Sequence, residues 1–237
     1  MMKKKTKQNK SFVSCIVAAA GKGSRMQAEL NKIFLEFGGM PVLAHTLSVL
    51  ENCTAIDEII IVTSECDLLG CKDIAEEFGI SKVTAITIGG KERQDSVRNA
   101  LREVSPKADI VLIHDAARPF ITEQVIEGVI ENVALCGAAA PGVPCKNTLK
   151  LADGEGFIAD TPDRSLLYEI QTPQGFARDL IMRAHENALQ NGLAGTDDCF
   201  LVEQLGTRVK ISAGDYRNIK ITTPEDLQIA ELFFESL

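Results

Sequence analysis

No apolar run in this chain is long enough to span a bilayer. The basic, polar start MMKKKTKQNK is not followed by an h-region with a small-residue cleavage site, so no secretory signal is expected. No Cys-x-x-Cys occurs among the cysteines at 15, 53, 66, 71, 136, 145 and 199, which excludes a zinc ribbon and a thioredoxin motif. Their odd number and apolar settings suit small hydrophobes in a reducing cytoplasm. Basic charge is also scarce: 25 Lys and Arg stand against 33 Asp and Glu, a net charge of -8. That balance argues against nucleic-acid and membrane-surface binding and points to a small-molecule partner held by local cations. There is no internal repeat, and the only biased segment is the tail 1–10, read as frayed.

What is present is enough for one sizeable domain over 11–237, with 45% apolar residues in a chain of 237. Strand-like and helix-like patterns alternate along it. SFVSCIV, EIIIVTS, KVTAITI, DIVLIHD and GAAAPGV read as buried strands, and helices are expected over 66–78, 93–104 and after Thr122, an N-cap. Further helices are expected over 179–190, 197–205 and from Pro224, with TRVKIS as a late strand. This alternation implies an α/β fold with a doubly wound, mostly parallel sheet, whose ligands bind outside the carboxyl ends of the strands. Gly21, Gly90 and Asp115 fall at such ends. Between about 145 and 174 the pattern breaks into short alternating segments around Asp153-Gly154, read as a protruding β-hairpin. Its edges need cover, and a partner subunit would supply it, so a dimer arm is expected.

The first strand leaves through AAAGKGSRMQAELNK. This is not a Walker loop, because a lysine separates its glycines, nor a dinucleotide fingerprint, because Met26 takes the third glycine position. Gly-x-Gly after a strand fits either a tight turn or a close approach of backbone to phosphate. Arg25 and Lys32 lend weight to an anion, one as a rigid fork and the other as a mobile point charge.

Seven segments stand together in a characteristic order: AAAGKGSRM with Lys32, GGKERQDS, HDAARPF, KNTLK, TPQGF, TDD and NIKITTPEDL. In these the chain resembles the 2-C-methyl-D-erythritol 4-phosphate cytidylyltransferase family, from Ser14 to about Leu232. The resemblance implies transfer of CMP from CTP to methylerythritol phosphate with release of pyrophosphate. It also implies a Rossmann-like nucleotidyltransferase fold, a magnesium cofactor and a homodimer joined through the arm.

Carried over position by position, the resemblance puts Ala18, Ala19, Ala20, Gly21 and Gly23 around the CTP triphosphate, with Arg25, Lys32 and Lys220 as catalytic cations. Gly89 and Gly90, with the Ser96 hydroxyl, would read the cytosine edge, and Arg93 would border the base. Asp115 would bind magnesium, CTP and the substrate hydroxyls. Arg118, Thr172 and Thr196 would approach the polyol phosphate, joined by Thr148, Lys150 and Arg164 from the other subunit's arm. The nucleophile is then a phosphate oxygen, already anionic, so no general base is needed. That suits a chain whose three histidines are scattered at 45, 114 and 185.

Two other enzyme readings share this chemistry. A ribitol 5-phosphate cytidylyltransferase has the same fold, but its loop more often reads His-Asp-Ser-Val-Arg-Pro, against HDAARP here. A sugar-nucleotide pyrophosphorylase using UTP or another nucleoside triphosphate finds no support in HDAARP and TPQ. A binding module that has lost its chemistry would be expected to lack Arg25, Lys32, Asp115 or Lys220, and all four are present.

Overall fold

A computed structural model describes residues 10–21 and 31–236. The first strand, β1 (Val13–Ala18), is central to an eight-stranded sheet. A small ribbon, β2 (Glu36–Phe37) and β3 (Met40–Pro41), leads into helix α1 (Val42–Asn52). The chain then alternates through β4 (Glu58–Thr63), α2 (Leu68–Glu77), β5 (Val83–Ile88), α3 (Arg93–Leu101), β6 (Ile110–Asp115), α4 (Glu123–Cys136) and β7 (Ala138–Pro144). Three short strands follow, β8 (Leu151–Ala152), β9 (Ile158–Asp160) and β10 (Tyr168–Ile170), then β11 (Gln174–Ala177). Helices α5 (Arg178–Asn191) and α6 (Asp198–Glu203), strand β12 (Lys210–Ala213) and helix α7 (Pro224–Glu235) complete it.

The sheet runs β10-β7-β11-β6-β1-β4-β5, with β12 also on β7. β6, β1, β4 and β5 are parallel, as is the β12–β7 pair, while β11 and β10 run against their neighbours. The sheet is therefore mixed but mostly parallel. Its strand order turns back at β1: β4 and β5 build outward on one side, and β6 lands on the other.

The apolar runs are explained by burial on both faces. Along β4, Ile59 and Ile61 join the core under α1, α2 and α4, whereas Ile60 and Val62 join the core under α3, α5 and α6. In β1, Cys15 and Val17 face the first core and Ile16 the second. Thr122 caps α4 by accepting from the Val125 N–H, as its position before Glu123 predicts, and the helix ends at Gly137 with φ +82.

Three departures from the sequence reading exceed two residues. TRVKIS becomes a strand only at Lys210, because its partner β7 begins at Ala138 and the pairing starts Lys210↔Ala139. Helix α3 ends at Leu101, three residues short of the expected end. Within 145–174 only β8 and β9 form the separate hairpin, whereas β10 returns to the main sheet against β7. Residues 151–160 are all exposed, and their turn is held by the Asp153 carboxylate, which accepts from Glu155 and Phe157 N–H groups.

Gly175 of β11 shows how tightly α4 sits on the sheet. A Cβ there would come within 2.6 Å of Val129 Cγ1, 2.9 Å of Val133 Cγ2 and 3.0 Å of Leu112 Cδ2. Gly175→Ala is expected to destabilise the fold by about 1–3 kcal/mol through overpacking, a drop of ~2–4 °C in Tm per kcal/mol. Thermal unfolding at neutral pH measures it.

Candidate active site

The carboxyl ends of β1, β4, β5 and β6 converge on a cavity of about 650 Å³. Ala18, Ala19, Ala20, Gly21 and Lys32 line it from the glycine-loop side. Gly89, Gly90, Arg93 and Ser96 line it from the turn after β5, and Asp115 and Lys220 close its floor. Gly23 and Arg25 lie outside the described residues. Gly89 has no room for a side chain: a Cβ would meet Ser96 Oγ at 2.6 Å and Ala20 Cβ at 2.8 Å. The β5–α3 turn is thus pressed onto the end of β1. The Ser96 hydroxyl is occupied in shaping that turn, accepting from Gly90 N–H and donating to the Glu92 carbonyl, each at 3.0 Å.

Asp115 is the electrostatic centre. Lys220 Nζ lies 2.8 Å from its Oδ2, while Arg118 Nε and Arg93 Nε stand at 3.6 Å from Oδ2 and Oδ1. The two longer contacts are ion pairs beyond good hydrogen-bond length. Burial pushes the Asp115 carboxyl up, but Lys220, then Arg93 and Arg118, hold it well below the usual carboxylate range. Lys220 reaches this point because NIKIT forms an irregular loop, not a strand, tied by Ile221 N–H to the Ala117 carbonyl. The same loop accepts from both neighbours: Arg118 Nη1 donates to Asn218 O at 2.7 Å and Lys32 Nζ to Ile221 O at 2.9 Å.

Behind Asp115, Thr172 is buried and works through hydrogen bonds. Its hydroxyl accepts from Asp115 N–H at 3.1 Å and sits 2.9 Å from His114 Nδ1. His114 Nε2 lies 3.2 Å from the Arg118 carbonyl, which assigns the ring proton to Nε2 and makes Nδ1 the acceptor of the Thr172 hydroxyl.

Among the expected substrate contacts, Thr148, Lys150 and Arg164 lie exposed on the arm, and none lines this chain's own cavity. Lys150 Nζ donates to Thr161 Oγ1 at 2.6 Å, and Arg164 Nη1 to Lys146 O at 2.9 Å. Thr196 is exposed in the turn before α6. Asp115 as a direct magnesium ligand fits the donor set poorly. Both its oxygens already face cations, and no cluster of three His, Cys, Asp or Glu exists among the described residues. A divalent ion here would have to draw its ligands mainly from substrate oxygens.

The sequence reading passed over Ser64 and Glu65, which line the cavity just past β4. The carboxyl-end rule applied to EIIIVTS would have found them. It also left Arg93's buried partner Asp198, and the His185 that pairs with Asp198, without a role; their pairing spans distant segments and leaves no local signal.

The family model for 2-C-methyl-D-erythritol 4-phosphate cytidylyltransferase matches residues 13–236. The protein of that name from Caldanaerobacter subterraneus subsp. tengcongensis is 48% identical over 222 residues, 93% of this chain and 98% of that protein. Its namesake from Geotalea uraniireducens is 45% identical, covering 95% of this chain and 97% of that protein. The crystal structure of 4-diphosphocytidyl-2C-methyl-D-erythritol synthase from Anaerococcus prevotii superposes with a TM-score of 0.85 at 34% identity, covering 95% of this chain and 96% of that one. The cytidylyltransferase from Thermus thermophilus gives 0.76 at 31% identity, covering 94% and 99%.

His114 provides a test of the floor of this site. Burial, only partly offset by the Asp115 charge, pushes its imidazole down to about 4 from an ordinary 6.5. Between those values the unfolded chain binds a proton that the folded one refuses. The stabilisation is therefore complete above about pH 6.5 and is lost as pH falls toward 4. It amounts to roughly 3 kcal/mol at the acid end. Tm is expected to fall by roughly 5–10 °C between pH 7 and pH 4.5, and by clearly less in His114→Gln, followed by scanning calorimetry.

Profile, curated relatives and solved structures agree over nearly the whole chain, and this chain belongs to the 2-C-methyl-D-erythritol 4-phosphate cytidylyltransferase family.

Proposed function

We propose that this protein transfers CMP from CTP to 2-C-methyl-D-erythritol 4-phosphate, giving CDP-methylerythritol and pyrophosphate for isoprenoid precursor synthesis. Beyond family membership, the observation that supports it is the cation set gathered at one cavity: Lys32, Arg93 and Lys220 in its lining, with Arg118 behind against Asp115.

The substrate phosphate attacks the α-phosphorus of CTP, and pyrophosphate leaves as the new P–O bond forms. The obstacle is repulsion between two polyanions, ~4 kcal/mol per pair of unit charges at ~4 Å and an effective dielectric of ~20. Lys32 and Lys220, with Arg25 on the glycine loop, neutralise the α-phosphate as its charge grows. Ala18 to Gly21 and Gly23 offer backbone to the triphosphate, and Gly89 and Gly90 read the cytosine edge beside Ser96 and Arg93. Asp115 holds Lys220 in place and accepts from the substrate hydroxyls. Arg118 and Thr196 take the polyol phosphate, with Thr172 fixing the Asp115 backbone beneath. Magnesium, the cofactor the resemblance implies, would be held mainly by triphosphate oxygens and would lower their charge.

The partner is a second copy of this chain. Leu149, Leu151, Phe157, Ile158 and Leu166 leave apolar surface exposed on the arm, and a partner subunit is its cover. Thr148, Lys150 and Arg164 then complete the neighbour's site. No described helix is long and apolar enough to cross a bilayer. All seven cysteines are free, which suits the cytoplasm.

Pyrophosphate release from CTP should occur with methylerythritol phosphate and fall at least ~100-fold with ribitol 5-phosphate. Lys220→Ala should lower kcat/KM by ~10²–10³. Release with ribitol phosphate alone would keep the chemistry and reject the substrate. Deleting 151–160 should turn the dimer into a monomer in light scattering and raise KM for the polyol phosphate at least ~10-fold. A dimer that survives the deletion would reject the arm as the joint.

A further inference from the structure

Behind Arg93, on the side away from the cavity, lies a second buried carboxylate. Arg93 Nη1 donates to Asp198 Oδ2 at 2.7 Å, and the other oxygen, Oδ1, is 3.0 Å from His185 Nε2. Asp198 and His185 are 1% and 2% exposed, so this is a core arrangement and not a surface ion pair. The main chain of Asp198 is held as firmly. Its N–H, with that of Cys199, donates to Gln174 Oε1 at 3.0 and 3.2 Å. Gln174 Nε2 in turn donates to Asp197 Oδ2 at 2.8 Å, and Asp197 caps α6 through Phe200 N–H.

The guanidinium of Arg93 thus spans two carboxylates, with Nη1 on Asp198 and Nε 3.6 Å from Asp115 Oδ1. Because the guanidinium is planar and its donors diverge in a fixed fork, a carboxylate gripping one edge sets the plane and depth of the whole group. Without that grip, Arg93 would be drawn onto Asp115, where Lys220 and Arg118 already compete. It would also be free to swing into the cavity it lines.

We propose that Asp198, steadied by His185, is a positioning residue of the nucleotide site: it holds the Arg93 guanidinium against the wall of the cavity at the depth where it borders the bound CTP. This rests on the reading of that cavity as the CTP site. It accounts for the proximity of TPQ and TDD in the fold, because Gln174 and Asp198 build one support. On β11 and the turn before it, Thr172 holds the Asp115 backbone and Gln174 the Asp198 backbone.

The test is a mutant cycle of Asp198→Asn and Arg93→Gln, read as KM for CTP and kcat in pyrophosphate release, with CTP affinity from calorimetry. Asp198→Asn should raise KM and the CTP Kd at least tenfold while kcat changes less than threefold. In the Arg93→Gln background the same change should alter either constant less than twofold, because Asp198 acts only through Arg93. A lower kcat at unchanged KM is the mark of a smaller folded fraction, and it would overturn the proposal. So would equal effects in both backgrounds. Should Asp198→Asn fail to fold, His185→Asn, which loosens Asp198 without removing the ion pair, takes its place. It is expected to raise KM about threefold in the wild-type background and not in Arg93→Gln. Wild-type protein that binds CTP but releases no pyrophosphate would reject the proposed reaction, while the cycle is still decided on Kd; absence of CTP binding would overturn both.

Discussion

A carboxylate buried among three cations organises this cleft. Asp115 ends a fully buried strand, and Lys220, Arg93 and Arg118 approach it from a late loop, a helix start and the turn that follows it. An isolated charge in that position would be strongly unfavourable, so the partners are a condition of its burial. The consequence is mechanical as well as electrostatic. One side chain at the floor of a parallel sheet ties the first half of the chain to its last quarter, and with it both banks of the cavity.

The cations that face the cavity are already engaged before any substrate arrives. Lys220 holds Asp115 and Lys32 donates to Ile221 O across the opening. An ammonium has three donors, so Lys220 can keep Asp115 and still reach a phosphate oxygen. Among the described charged residues of the lining, Lys32, Lys91, Arg93 and Lys220 stand against Glu65, Glu92 and Asp115, with Arg118 and Asp198 behind. The described cleft therefore carries a slight excess of positive charge in a chain whose net charge is -8. That contrast focuses the field on the cleft.

Much of this was legible in local pattern. The run DIVLIHD declares a strand buried on both faces, and the carboxyl-end rule then marks Asp115, Gly90 and Gly21 as neighbours of the cavity, which they are. Thr122 before Glu123 declares a helix start, and the cap forms. What local pattern cannot carry is pairing between distant segments. TRVKIS has strand composition throughout, yet only the part opposite β7 pairs, and Tyr168–Ile170 looks like arm but joins the sheet edge. Asp198 and His185 are similarly silent: an acidic residue in a helix's first turn reads as a dipole partner, and only the fold shows that its oxygens meet Arg93 and His185. Ser96, a hydroxyl expected to face a ligand, lines the cavity and also shapes the turn beneath it.

The arm poses the remaining physical question, because nothing in its own chain justifies it. A two-stranded ribbon has no core, and β8 with β9 pairs through only a few residues. Its turn is stabilised by Asp153, but that holds the tip and does not cover Leu151, Phe157 or Ile158. Apolar side chains clustered on a projecting ribbon are an aggregation hazard unless another surface meets them. The cations of the arm point the same way, since Lys150 and Arg164 lie outside the cavity of their own chain. The proposed second copy would answer both difficulties at once, burying the apolar face and bringing those cations to its neighbour's cleft, and the smallest complete site would then contain two chains.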